Sequence, residues 1–466
     1  MNYEEYMNTL SEQISNKRAK ELVCKEYADH IADQTESYEA EGLNHEDAEL
    51  LAVKEMGDPV EAGMALNKIH RPKFPIGMIA VVIVLTVIGI CMQGIIFPNI
   101  NNYDVSHNYI YNTIFYNVIG FGIMLVMLYC DYSILTRHAY LIYIVLYVGG
   151  SIYQFLFIRG NYSREISINY YMWTLYPIVF AALLYRNKDR GMRGLIRCIG
   201  LTLLVGLIRL FSETVWSAGL IECVVIVTFT MYFAVYKGLF GQKKGRLYMV
   251  SSLLLAPFMA LGVLSIYWVN HPQSCILAEY QRARIEALLY PEHYPDGIGY
   301  VPGVLRQMAT DYSLFGNKML PLDSMENTRL YSTFILSSIF SWFGIVVGVL
   351  VIALLIGFGI RAFMISVKQK NRIGMVLGTA CSLSILIRCA VFIGINFGHA
   401  IFYTTAIPFL SYGLGGAVIN SVMVGIILCV YRNSNILAEK ENKKAGPVKK
   451  KFIKKAMENL EAELHM

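Results

Sequence analysis

Charge is what this 466-residue chain has little of: 16% of its residues are Asp, Glu, Lys or Arg, against roughly a quarter in an ordinary soluble domain. With 55% hydrophobic residues and a mean hydropathy of +0.46, the shortage points to lipid as the solvent for most of the chain. A cysteine framework is also missing. Seven of the nine cysteines (Cys91, Cys130, Cys198, Cys223, Cys381, Cys389 and Cys429) lie in or beside apolar blocks, and no disulfide or metal spacing emerges. The N-terminus has no apolar core followed by a small-residue cleavage site, so insertion is expected to begin at the first spanning helix. The net charge of +6 is not gathered on one soluble face, which argues against a nucleic-acid partner.

What is there is a series of apolar blocks, each near the roughly 20 residues a helix needs to cross a hydrocarbon core of about 30 Å. They predict an all-α polytopic membrane protein with about ten spanning helices, near 75–97, 110–131, 139–158, 169–186, 194–212, 215–236, 247–269, 331–360, 374–396 and 413–431. An even number of crossings puts both termini on one side. Loops on that side hold Arg137; Arg186, Lys188, Arg190 and Arg193; Lys237, Lys243, Lys244 and Arg246; and Arg361, Lys368, Lys370 and Arg372. The opposite short loops hold only Arg159 and Arg164, so the positive-inside rule predicts cytoplasmic termini.

Residues 1–72 differ in kind, with 16 Asp/Glu against 7 Lys/Arg and apolar residues at helical spacing (Ala48, Leu51, Ala52, Met56). They predict a small soluble helical domain in which Asn44 caps a helix that Gly57-Asp58-Pro59 ends. This segment resembles the short helical prefix found ahead of some bacterial membrane proteins. The tail, 432–466, sets Lys449, Lys450, Lys451, Lys454 and Lys455 beside Phe452, Ile453, Met457 and Leu460. It reads either as a basic amphipathic helix on anionic lipid or as a solvated tail.

One connection is far longer than the others: residues 270–330, an external loop of about sixty residues between the seventh and eighth crossings. In it Arg282 and Arg284 could meet lipid phosphates or ordinary headgroups. Tyr280, Arg282, Arg284, Ile285, Ala287, Leu289 and Pro291, then Pro295, Asp296, Gly297, Gly299 and Tyr300, then Leu314-Phe315-Gly316, resemble three successive elements of the SEDS family, the FtsW/RodA/SpoVE proteins of the bacterial cell wall. A second anchor precedes the last crossing. There Thr404, Thr405, Pro408, Phe409, Ser411, Tyr412 and Gly413 resemble the family's Thr-Thr…Pro-Phe-x-Ser-Tyr-Gly run, and Asn396-Phe397-Gly398 its upstream Asn-x-Gly. Pro408 and Gly413 break helix while Ser411 and Tyr412 supply hydroxyls, which suits backbone re-entering a groove as well as a simple turn into a helix. The family's Trp-rich element and its Gln-Pro-Ser-Glu run are not recognisable here.

The resemblance implies a multi-pass protein of the bacterial cytoplasmic membrane that binds lipid-linked peptidoglycan precursor (lipid II) at an external groove beside a class B penicillin-binding protein. It implies no resident cofactor, with a divalent cation entering only if the chain is catalytic. In active members an Asp near the start of the eighth crossing is the general base. Alignment on Phe343-Gly344 puts Thr333 there, and Ser341 and Trp342 where the family has paired carboxylates. A threonine hydroxyl cannot act as a base at neutral pH, which leaves Asp323 and Glu326 as substitutes or as plain loop acids. Among intramembrane polar residues, Arg209, Glu222, Arg388 and His399, ionisable groups usually face a bundle interior or a water path. Arg388 and His399 join Arg282, Arg284, Asn396, Pro408, Ser411, Tyr412 and Gly413 as candidate substrate-binding residues. Three functions compete: a glycosyltransferase, a silent regulator or scaffold of a synthase, and a flippase of lipid-linked sugar.

Overall fold

The computed structural model describes the chain apart from residues 16, 101–102, 158–161, 213–217, 242–243, 272–278, 317–332, 400–406 and 436–466. The tail lysines 449–455 therefore lie outside the described residues. Two compact units are present. The first comprises Met1–Phe74, Gln369–Arg372 and the described residues from Tyr431 onward. The second comprises Pro75–Lys368 and Ile373–Val430.

Capping residues start the helices of the first unit. α1 (Tyr3–Glu12) opens on a capping box in which Asn2 accepts from the Glu5 amide and Glu5 accepts from the Asn2 amide. After α2 (Lys17–Ala40), Asn44 caps α3 (His45–Glu55) by accepting from the Asp47 amide at 2.8 Å. Gly57, at φ +78°, turns the chain into α4 (Pro59–His70), where Asp58 is the cap and Pro59 sits where a missing N–H costs nothing. Tyr3, Tyr6, Leu10, Ile31 and Ala52 form the core of this unit.

The second unit is an all-α polytopic membrane bundle, with no strand among the described residues. Its helices are α5 (Ile76–Ile100), α6 (Tyr103–Tyr129), α7 (Ser133–Arg137), α8 (Ala139–Tyr143), α9 (Gly150–Phe157), α10 (Tyr162–Arg186), α11 (Gly191–Ser212), α12 (Ala218–Tyr236), α13 (Lys244–Ser252) and α14 (Ala256–Asn270). Beyond the loop helices come α17 (Ile335–Phe343), α18 (Ile345–Val367), α19 (Arg372–Asn396) and α20 (Leu414–Arg432). Seven segments are long and apolar enough to cross a membrane: Ile76–Ile95, Ile110–Tyr129, Ala139–Phe157, Gly219–Tyr236, Ile345–Val367, Arg372–Asn396 and Leu414–Arg432. α10 and α11, of 25 and 22 residues, are also as long as a crossing requires. α19 and α20 are the most enclosed of the seven, and their side chains meet α10 and α12 in a single core.

Three expected continuous helices are interrupted. The span read at 331–360 breaks at Gly344, whose φ of +89° and ψ of 174° belong to a backbone region that only glycine enters cheaply. The span read at 247–269 breaks at residues 253–255, just before Pro257 in the first turn of α14, because proline lacks the N–H a continuing helix would use. Between α8 and α9 the chain makes a π-helical turn, Ile144–Gly149. The long loop is itself largely helical where described, with α15 (Glu279–Leu289), a 3-10 turn at Pro291–His293, and α16 (Tyr300–Thr310).

Candidate functional site

The loop is pinned to the bundle by groups of opposite character. On one face of α16, Leu305 and Met308 pack with Phe334 and Ile395, and Ile110 and Tyr412 border the same cluster. Arg306 points elsewhere: its Nε donates to the Gly398 carbonyl at 3.1 Å, and its Nη1 and Nη2 donate to the Leu289 and Leu288 carbonyls. It thereby caps the C-terminus of α15, where a cation also complements the helix dipole. Glu286 holds the other side of α15, accepting from Tyr294 at 3.0 Å and pairing with His293 at 3.1 Å. The His293 hydrogen bond, assisted by Tyr294 and Arg282, keeps this carboxyl below the usual glutamate range despite some burial.

The Leu314-Phe315-Gly316 element closes the loop onto the break between α17 and α18. The Ile345 amide donates to the Ser313 carbonyl at 3.0 Å and the Val346 amide to the Leu314 carbonyl at 3.3 Å. Two of the orphan donors at the start of α18 are satisfied in this way. The backbones approach so closely that a Cβ on Gly344 would fall on the Gly316 nitrogen and the Leu314 oxygen, and one on Gly316 would fall on the Trp342 carbonyl. Both glycines carry positive φ, so this junction has room only for residues without a side chain.

At the opposite, N-terminal end of α17 lies the position where the sequence lacks its expected acid. Thr333 is buried, and the Asn396 amide donates to its carbonyl at 3.0 Å. Phe334, at the N-cap of α17, has no side-chain oxygen to offer. Asn396 supplies it from another helix: its Oδ1 accepts from the Ser337 amide at 3.0 Å and from the Ser337 hydroxyl at 2.9 Å, while Nδ2 also reaches the Phe392 carbonyl. Both lone pairs and both protons of the Asn396 side chain are thus engaged with the protein, which makes it a positioning residue. Burial pushes the phenol of Tyr312, which borders the same cluster, up to about 12. Buried Ser338, whose hydroxyl donates to the Phe334 carbonyl at 3.2 Å, and buried Ser341 follow along α17.

The second motif forms a turn ahead of α20. Pro408 is buried, and Phe409, at φ +71°, is the one non-glycine with positive φ among the described residues. Gln93 of α5 donates to the Leu410 carbonyl and accepts from Thr113 of α6 at 3.0 Å, holding the turn to two spans. Ser411 closes it by accepting from the Ile407 amide at 3.0 Å. Tyr412 faces Tyr116 at 5.6 Å, and Gly413, at φ +132°, leads into α20.

About 12 Å below Asn396 on α19, by helical rise, buried Arg388 donates to Asn420 of α20 at 2.8 Å and to the Tyr170 hydroxyl of α10 at 3.0 Å. Glu222 of α12 is buried too and interacts electrostatically with Arg388. Four helices therefore converge on one charged cluster inside the membrane part.

Of the residues singled out in the sequence, Thr333, Asn396 and Tyr412 lie around one cluster, with Pro408, Ser411 and Gly413 in the adjoining turn. Arg388 belongs to the deeper cluster. Arg282 and Arg284 sit half-buried on α15, and His399 is exposed beside the carbonyl that holds Arg306. Asp323, Glu326, Thr404 and Thr405 lie outside the described residues, and the side chain of Arg209 is not described. Among the described residues no three His, Cys, Asp or Glu side chains converge as metal ligands. Arg306, Gln93 and Asn420 escaped the sequence reading; only the amphipathic pattern of α16, with Arg306 off its apolar stripe, hinted at the first.

No protein-family model and no curated protein matches this sequence. Among solved structures, a chain of a peptidoglycan synthase complex, solved to show the structural coordination of polymerization and crosslinking, superposes with a TM-score of 0.55 at 16% identity. The match covers 78% of this chain and 98% of that one. At such identity the likeness is one of fold: this chain shares its fold with a chain of a peptidoglycan synthase complex.

Proposed function

We propose that this protein is a divergent SEDS-type component of bacterial peptidoglycan synthesis, resident in the cytoplasmic membrane. It binds lipid-linked precursor at the outer end of its membrane unit, beside a class B penicillin-binding protein. The observation that carries the reading is the docking of the loop: Leu314-Phe315-Gly316 seats on Phe343-Gly344, and α16 lies over Phe334 next to the Pro408–Gly413 turn. Described elements of the resemblance that are far apart in sequence thus contact the two ends of α17. Because Thr333 stands at the position of the family's base, the protein acts as a regulator or scaffold of a synthase rather than as the polymerase. The fold shared with a chain of a peptidoglycan synthase complex supports the general assignment.

The test is lipid II binding and polymerisation by the purified full-length protein, alone and with a candidate transpeptidase, beside a Thr333→Asp variant. Binding without polymer is the expected result, and polymer gained by Thr333→Asp would support the alignment. Polymer from the unaltered protein would overturn the silent reading, and its loss in Asp323→Ala or Glu326→Ala would assign the base to the loop. A second reading, a flippase, draws on the Glu222–Arg388 cluster, since intramembrane ionisable groups often mark a translocation path. Movement of labelled precursor across vesicles containing only this protein would favour it.

A further inference from the structure

Away from the outer surface, α12, α13, α18 and α19 enclose a groove of about 300 Å³. Phe229, Phe233 and Tyr236 of α12, Tyr248 of α13, Phe363 of α18 and Leu383 of α19 line it. The only oxygen-bearing groups among these aromatics are phenols, and that of Tyr232, which also lines the groove, is already bonded to the Ser252 hydroxyl at 2.8 Å. A soluble ligand is normally oriented by several well-placed polar groups, which this lining lacks. Phe229 and Tyr236 are two helical turns apart, so the groove runs about 10 Å along α12.

Its two ends differ in charge. At the end of α12 the Lys237 ammonium stands 5.6 Å from the Phe233 ring centre and 6.0 Å from that of Tyr236, and the Lys244 ammonium stands 5.5 Å from the Tyr236 ring. Exposed Arg246 follows on α13. These residues belong to the basic set of loops, the set the charge rule assigns to the cytoplasm. Two cations at the mouth and hydrocarbon deeper in match the layout of a membrane lipid lying parallel to the helices.

We propose that this groove binds an anionic phospholipid, with one acyl chain against Phe229, Phe233 and Leu383 and the headgroup phosphate between Lys237 and Lys244. Charge complementarity selects this occupant over a zwitterionic lipid, whose cationic headgroup leaves the two ammonium groups unmatched. A partner helix, about 10 Å across with its side chains, is too wide for a groove of this volume. The site is separate from the Asn396 cluster and stands whether or not the cell-wall reading holds.

Native mass spectrometry of the delipidated full-length protein, titrated with phosphatidylglycerol or phosphatidylcholine of identical chains, tests the proposal. Phosphatidylglycerol should bind at least tenfold more tightly, and Lys237→Gln and Lys244→Gln should each weaken it about fivefold without affecting phosphatidylcholine. Leu383→Trp, which adds bulk to the lining, should weaken both lipids. Should that variant fail to fold, the two lysine variants decide alone. Arg193→Gln, at the same basic end but outside the groove, should change nothing. Equal binding of the two lipids by the unaltered protein, or an Arg193→Gln loss as large as that of Lys237→Gln, would overturn the proposal.

Discussion

Replacing Asn396 with alanine removes the cap that α19 provides to α17. Two backbone groups then lose their side-chain partner in a buried setting: the Ser337 amide, 3.0 Å from Oδ1, and the Thr333 carbonyl, 3.0 Å from Nδ2. The Phe392 carbonyl lies within α19, and the Ser337 hydroxyl retains the Asn396 backbone oxygen at 2.8 Å, so neither adds to the loss. An unsatisfied buried group costs about 1–3 kcal/mol, which is the loss expected from the Ser337 amide. Asn396→Asp should also destabilise, because a carboxylate can still accept from Ser337 but sets a negative oxygen against the Thr333 carbonyl. The assay is thermal unfolding in detergent combined with amide exchange across residues 333–343. Exchange should rise first at Ser337. Unfolding within about 0.5 kcal/mol of the unaltered protein, the range of a surface substitution, with protection at Ser337 intact, would refute the trans-capping account.

Three other outcomes are expected. Gly344→Ala places a Cβ against the Gly316 nitrogen and forces a non-glycine residue to φ +89°, so it should cost at least about 2 kcal/mol and raise protease sensitivity between α16 and α18. Arg388→Met leaves buried Glu222 without its cation and should destabilise by roughly 3–5 kcal/mol; adding Glu222→Gln should recover much of that, and additive losses would rule out the coupling. Because the folded protein holds the Glu286 carboxyl below its usual value, the tie to His293 and Tyr294 contributes stability that is fully present above about pH 4.3 and is lost as pH falls through the depressed value. Amide exchange near Tyr294 should therefore increase at acidic pH in the unaltered protein and be high at all pH values in Glu286→Ala.

The membrane architecture was legible because lipid imposes it: the apolar blocks read at 75–97 and 413–431 fall on the observed spans Ile76–Ile95 and Leu414–Arg432, long enough to cross and too apolar to be anything else. The glycines of the loop were legible as motif letters but not as a contact, since the meeting of Gly316 with Gly344 depends on two backbones that sequence periodicity does not relate. Asn396 shows a limit of another kind. Its amide looked available for a ligand, yet its partners lie 59 and 63 residues away on a helix whose own N-cap, Phe334, has no oxygen. The break inside the span read at 331–360 was hidden because Gly344 sits between two apolar runs that each favour helix, and hydropathy averages across it.

The bond from Arg306 to the Gly398 carbonyl also sets an order of events during synthesis. Its two ends are 92 residues apart, and at about 5–20 residues per second the acceptor leaves the ribosome roughly 5–18 s after the donor. The loop helices must therefore wait outside the bilayer until α19 has been threaded through it. Closure of the cap thus becomes a late checkpoint of biogenesis, and a nascent chain stalled before residue 398 should present α15 and α16 unlatched to proteases and chaperones.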